Sequence, residues 1–148
     1  ADSITYFETA GERGIIQGDC DPRWPSEFPS EKGMIFPVFH VFRFLMGYKQ
    51  LSLVRCASSR PLIADSLALS DGKQGHMLLV NFTGDAQKIK LECCTGLVRL
   101  RSLNADSYAE AASDNRWTGI NNEKILKAQD IFEIGPFSLN FIEGWLKH

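Results

Sequence analysis

Apolar residues crowd into one twelve-residue stretch and then settle into a short, regular alternation. The segment Phe36-Pro37-Val38-Phe39-His40-Val41-Phe42-Arg43-Phe44-Leu45-Met46-Gly47 predicts a helix. Proline suits the first helical position, where its missing N–H would have no partner anyway, and Gly47 supplies the stop. A surface helix shows one apolar stripe, yet here Val38, Val41, Phe42 and Leu45 line one face while Phe36, Phe39, Phe44 and Met46 cover much of the rest. Three phenylalanines left wet at about 1.5–3 kcal/mol each would rival the whole stability of about 5–15 kcal/mol usual for a domain. Such a helix needs a body on each side, and the chain is expected to be part of something larger.

From Lys49 onward, β-rich runs alternate with turn residues at the spacing of an antiparallel sandwich or barrel. Strands are expected near residues 51–56, 62–69, 76–82, 86–92, 97–103, 131–134 and 138–143. Asp71-Gly72, Thr83-Gly84-Asp85 and Thr95-Gly96 are read as hairpin turns. Ile89 and Leu91 share one face against Lys88 and Lys90 on the other, so that strand should have a wet side. Met77–Phe82 is apolar on both faces and should be central. Residues 105–112 suit a helical turn or two, with Asp106 or Ser107 as the cap and Glu110 as a capping-box partner. Before the apolar helix, Ser3–Phe7 has the composition of a strand that ends in Glu8-Thr9-Ala10-Gly11, and from there to Lys32 a Gly/Pro-rich loop is expected. Loops of that length are usually functional or packed on a neighbour.

Composition narrows the function classes. The 148 residues suit one domain; the formal charge is −2, with 23% charged and 44% hydrophobic residues. No basic field is present to gather phosphates, so nucleic acid is not expected as a partner. The longest apolar run is far short of the roughly 20 residues that cross a bilayer, and it carries His40 and Arg43, so no membrane span is expected. Cys20, Cys56, Cys93 and Cys94 lack the spacing of a disulfide framework, which favours a reducing, cytoplasmic compartment. The opening Ala1-Asp2-Ser3, without methionine or signal-like segment, reads as a processed end or a fragment boundary. His40, His76 and His148 have no ligand-like spacing to one another or to the cysteines, so no metal is expected; with no phosphate-cradling glycine loop either, no cofactor is expected. His40 reads as a hydrogen-bonded packing residue. Asn81-Phe82-Thr83 matches a glycosylation acceptor but is short enough to arise by chance.

Three blocks carry a family likeness: Ser3-Ile4-Thr5-Tyr6-Phe7-Glu8-Thr9-x-Gly11-x-Arg13-Gly14, then Phe28-Pro29-Ser30 with Phe36-Pro37-Val38-Phe39-His40-Val41, then Leu78-Leu79-Val80-Asn81-Phe82-Thr83. In this order they resemble the C-terminal end of glycoside-hydrolase-like (β/α)8 barrel proteins, and within them the D-apionate lactonase family. The resemblance implies a mainly β fold: residues 1–48 as the final βα unit of an incomplete barrel, and residues 49–148 as an antiparallel β-sandwich. It also implies a carbohydrate or sugar-acid lactone as substrate, hydrolysed without a named cofactor, and an upstream barrel of the same parent chain as partner.

The same resemblance selects the candidate site. Only one helix separates Glu8 from the sandwich, so its strand would be the eighth, whereas related glycosidases carry their catalytic carboxylates on the fourth and seventh. Those enzymes place a tryptophan platform where this chain has Phe7 and Glu8, a departure that fits an acid/base or binding role for Glu8 at the barrel mouth. Glu8 is the catalytic candidate. Phe7, Arg13 and Trp24 are the substrate-binding candidates: Phe7 as an aromatic face for a sugar, Arg13 as a fork for a substrate carboxylate or a partner of Glu12 or Glu8, and Trp24 at the barrel mouth or as a pin for its own loop. Two other readings answer the same excess of apolar surface. One is a free-standing sandwich that binds a carbohydrate or a protein; the other is a homodimer in which two copies bury each other's helix.

Overall fold

In the computed structural model, the described residues are 8–48 and 50–146. The expected strand at Ser3–Phe7, and with it Phe7 as a candidate, lies outside them. The described residues divide into two compact units, one of residues 8–46 with 108–117, the other of residues 47–48 and 50–107 with 118–146.

The second unit is built from antiparallel strands. A six-stranded sheet runs in the order β1 (Ser52–Val54), β2 (Ala64–Ser70), β3 (Gly75–Asn81), β8 (Leu139–Leu146), β5 (Cys94–Leu103), β6 (Lys124–Lys127), and a separate ribbon pairs β4 (Gln87–Ile89) with β7 (Phe132–Ile134). The fold is mainly β, as the alternation predicts. Alternate residues of the sheet, among them Ala68, Met77, Leu79, Val98, Leu100 and Ile142, form one buried cluster with Ile134 of the ribbon, against which Ile89 and Phe132 also pack. Ribbon and sheet thus enclose the core as two layers. β3 lies between β2 and β8, with Met77, Leu78 and Leu79 all buried, so the strand that reads as apolar on both faces is central. Along the ribbon the pattern also holds: Lys88 and Lys90 are exposed while Leu91 is buried.

Several expectations need correction. Asp71-Gly72 does turn β2 into β3: Asp71 Oδ1 accepts hydrogen bonds from the backbone N–H groups of Lys73 and Gln74, both at 2.8 Å, and Gly72 takes a φ of +85°. Thr83-Gly84-Asp85, by contrast, leads β3 out of the sheet into the ribbon rather than into a hairpin. Thr95-Gly96 lies inside β5, where Gly96, at φ +68°, accompanies a register shift between Thr95 and Arg99. The glycine does take the left-handed conformation that a hairpin turn would use, but it bulges a strand instead of ending one. β6 was not expected; Lys-Ile-Leu-Lys is too short and too mixed in polarity to stand out, and it is ordered as an edge strand paired to β5.

Helix α2 (Ala105–Ser113) matches its expected span but not its cap. Asn104 Oδ1 accepts from the backbone N–H of Asp106 (3.1 Å) and Ser107 (3.2 Å), and Ser107 Oγ accepts from the Asn104 N–H at 3.0 Å. The capping box is therefore Asn104 with Ser107. Glu110 accepts from Trp117 Nε1 instead.

In the first unit, helix α1 (Pro37–Met46) starts at the proline and ends just before the glycine, as read. His40 is its one buried residue; its apolar residues are half-buried except Met46, which is 82% exposed. The expected long loop is more ordered than its glycines and prolines suggest. Gln17 N–H donates to the Met34 carbonyl, Phe36 N–H to that of Ile15, and Ile16 pairs with Ile35 as an antiparallel bridge.

Candidate functional site

The candidate residues Glu8, Arg13 and Trp24 all belong to the first unit, where the loop before α1 is shaped by two glycines and a buried amide. Gly11 takes a φ of +114°, a conformation that L side chains avoid. A Cβ there would also stand 3.0 Å from Glu8 Oε2, so the Glu8 carboxylate lies over the bare glycine. At Gly14 a Cβ would fall 2.7 Å from the Thr9 carbonyl oxygen, closer than backbone permits. These contacts account physically for the glycines of the Glu8-Thr9-x-Gly11-x-Arg13-Gly14 block. Gln17, 1% exposed, donates from Nε2 to the Cys20 carbonyl at 3.0 Å and accepts from Ser30 Oγ at 3.1 Å. One side chain thereby ties both arms of the loop together.

On this framework Arg13 and Trp24 are brought together. The Arg13 guanidinium carbon stands 4.7 Å from the centre of the Trp24 ring, and that of Arg23 4.9 Å from it. Both distances suit attraction between a cation and the indole face. Arg23 is further fixed by its backbone N–H, which donates to Glu12 Oε2 at 3.1 Å. Arg13 thus packs on the indole, and the arrangement concentrates two positive charges beside one aromatic ring. Trp24 is half-buried, whereas Glu8 and Arg13 are exposed. A cavity of about 700 Å3 lies farther along the same loop, lined by Pro25, Pro29, Lys32, Met34, Tyr108 and Ala112 among others. Glu8, Arg13 and Trp24 are not among its lining residues.

His40 behaves as the sequence reading supposes. Nε2 lies 2.8 Å from the Ala111 carbonyl oxygen, which can only accept, so the proton sits on Nε2. The ring also meets Trp117 edge to face at 5.1 Å between centroids. Burial lowers its pKa below the ordinary value of 6.5, opposed by the Ala111 hydrogen bond. Arg43, one turn on, donates from Nη1 to the carbonyls of Asn115 (2.8 Å) and Trp117 (3.0 Å).

The second unit holds a polar cluster that the sequence reading missed. His76, 2% exposed, stacks on Tyr48 with 3.7 Å between ring centroids. Asp71 Oδ2 stands 3.3 Å from its Nε2, and Glu143 Oε1 stands 3.9 Å from its Nδ1. Tyr48 donates its hydroxyl to Glu143 Oε1 at 2.5 Å, and Arg101 Nη2 donates to Glu143 Oε2 at 2.8 Å. Burial, the Glu143 hydrogen bond and its charge all raise the Tyr48 pKa, so the phenol stays protonated. Asp71 is lowered to about 2, chiefly by the Gln74 and Lys73 backbone hydrogen bonds. The signal available in the sequence was slight. Glu143 faces His76 across the β3 and β8 register, but that pairing is visible only once the strands are aligned.

The Asn81-Phe82-Thr83 match has no room for a sugar. Asn81 is 1% exposed, and its Nδ2 donates to the carbonyls of Asp85 and Gly135, both at 2.8 Å. Among the described residues, no group of three or more His, Cys, Asp or Glu side chains is placed to hold a metal ion, and no helix is long and apolar enough to cross a membrane.

No protein-family model matches the sequence, and no curated protein matches it. Among solved structures the chain is similar to the thermostable GH51 alpha-L-arabinofuranosidase from Thermotoga petrophila RKU-1, with a TM-score of 0.38 and 21% identity over 55% of this chain. The match spans only 19% of the length of that enzyme.

Proposed function

We propose that the chain is the C-terminal region of a carbohydrate-active hydrolase, with a sugar-acid lactone as the substrate class. In this reading residues 1–48 complete an upstream barrel and residues 49–148 support it. The observation that carries the substrate class is the placement of Arg13 and Arg23 on Trp24. Guanidiniums beside the ring suit the hydroxy-acid carboxylate that opening a lactone releases, because the planar fork pairs with a carboxylate, and before opening they can donate to the carbonyl oxygen of the neutral lactone. Glu8 is exposed close by in sequence and is available for proton transfer or for holding hydroxyl groups. The half-buried apolar surface of α1 supports the need for a further body, since apolar patches of this kind mark association sites.

The test is aldonolactone hydrolysis by this chain joined to, or mixed with, the barrel that precedes it. Turnover should require both parts, and Arg13→Gln should raise KM by about tenfold, the loss of one charge-assisted hydrogen bond. Glu8→Gln should lower kcat by at least about a hundredfold if Glu8 transfers a proton. A chain that is a cooperative monomer and ignores the barrel would refute the reading.

A free-standing binding module is favoured by one specific observation. Trp145 lies within β8, beyond the expected strand end, and is 56% exposed, with Leu97 and Ile125 of the same sheet also exposed. Titration with soluble polysaccharides should then quench tryptophan fluorescence, and Trp145→Ala should abolish the response.

A further inference from the structure

Three of the four cysteines meet in the second unit, and two of them share the wall of a cleft. Cys56 Sγ and Cys93 Sγ lie 3.6 Å apart, and Cys93 Sγ lies 3.9 Å from Cys94 Sγ. Cys56 follows β1 and Cys93 precedes β5, both in segments free of ladder hydrogen bonds, where a small backbone shift costs little. Both residues line a cavity of about 510 Å3 that also takes in Arg55, Ser66, Lys88 and Lys90.

We propose that Cys56 and Cys93 are a redox modification site, a dithiol that small anionic disulfides of the glutathione class close to a disulfide. The cavity gives such a reagent access to both sulfurs, and its three cations outnumber its two anions, Asp65 and Glu92. In the first step the Cys56 thiolate attacks the reagent, forming a mixed disulfide and expelling one small thiolate. Cys93 then attacks Cys56 Sγ, expels the second small thiolate, and closes the protein disulfide. Two electrons pass from the cysteines to the reagent, and the two cysteine protons end on the two released thiols. The sulfurs need to move from 3.6 Å to about 2.05 Å, the length of the bond they form.

Cys56 is assigned the attack because Ser66 Oγ, at 3.5 Å, donates to its sulfur. Its thiol is nonetheless pushed up by burial, and that of Cys93 is pushed up by its contact with Cys94 and then by burial, so the reaction is slow near neutrality and accelerates with alkali. Cys94 is the wrong partner. Adjacent Cα atoms stand about 3.8 Å apart, below the roughly 4.4 Å that an ordinary disulfide requires, and Cys94 is already paired to Leu146 in the sheet.

The experiment treats the whole chain with oxidised glutathione in a Cys20→Ser background, which removes the exposed thiol of the first unit. Expected are the loss of two hydrogens by mass, a Cys56–Cys93 link in the peptide map, and a melting midpoint raised by about 5 °C and restored by dithiothreitol. Cys94→Ser should retain the link, whereas Cys56→Ser and Cys93→Ser should abolish it. A Cys93–Cys94 link, a mixed disulfide that never resolves, or reaction only after denaturation would each overturn the proposal. Because the map is read on chains with all three cysteines intact, a variant that fails to fold does not decide the outcome.

Discussion

The two units are ordered by different means. In the strand-rich unit, backbone ladders fix the register and alternate residues fall into one core: Met77 faces Ala68 on one side and Ile142 on the other, and all three are nearly inaccessible. In the unit built around α1, few ladders exist, and single polar side chains take their place. Gln17 joins the arms of its loop, His40 reaches Ala111, and Arg43 reaches Asn115 and Trp117. A core formed by a repeated pattern spreads its stability over many residues. An architecture pinned by individual hydrogen bonds concentrates it in few.

The largest expected effect strikes the strand-rich unit. Met77→Ala deletes a side chain 1% exposed at the centre of the sheet and should cost about 2–5 kcal/mol. Leu62→Ala removes a side chain of similar size that is 91% exposed and should stay within about 0.5 kcal/mol. Denaturant unfolding measures both, and segment-resolved hydrogen exchange should place the loss in β2, β3 and β8. If protection were lost equally in residues 8–46, the contrast between the units would fail.

A smaller effect sharpens the same contrast from the other side. Gln17→Ala removes no large apolar surface, but it takes the Gln17 donor from the Cys20 carbonyl and leaves the Ser30 hydroxyl only the longer contact with the Phe28 carbonyl, at 3.4 Å. The expected cost is about 1–3 kcal/mol, confined to the loop and the Ile16–Ile35 bridge. Exchange protection at Gln17 and Phe36, which donate to Met34 and Ile15, is the readout.

What the sequence made legible follows the same division. Periodicity reports which face of a strand or helix meets a core, and so the alternation of Lys88, Ile89, Lys90 and Leu91 and the central position of β3 are legible, as are the ends of α1 from Pro37 at its start and Gly47 just past its end. A polar side chain whose partner is distant carries no such period. Nothing near His76 points to Tyr48 or Glu143, and nothing near Gln17 points to Ser30. β6 escaped notice because an edge strand of four residues buries too little to impose a pattern, and the Gly96 bulge because a glycine turn and a glycine bulge read alike. In the candidate site, the glycines around Glu8 were visible as a motif, but the contact of Arg13 with Trp24 spans eleven positions of irregular loop and appears only in the folded chain.

The smallest effect at neutral pH is a difference between the units in acid. Burial holds the His40 pKa below 6.5, so the unfolded chain binds a proton that the folded chain resists. The stability tied to neutral His40 is present above pH 6.5 and is lost as pH falls through the lowered folded value. Asp71 is depressed from 3.8 to about 2 by the turn hydrogen bonds, so its contribution to the turn between β2 and β3 is present above pH 3.8 and is lost as pH falls through about 2. On acid titration, exchange protection in α1 should therefore weaken first, from mildly acidic pH, while the Asp71 turn holds to below about pH 4. His40→Gln places an amide donor near the position of Nε2 and removes the titration, so it should flatten the first step and leave the second unchanged. Simultaneous loss of both steps in the unaltered chain, or a first step that persists in His40→Gln, would show that the imidazole does not set the acid limit of its unit.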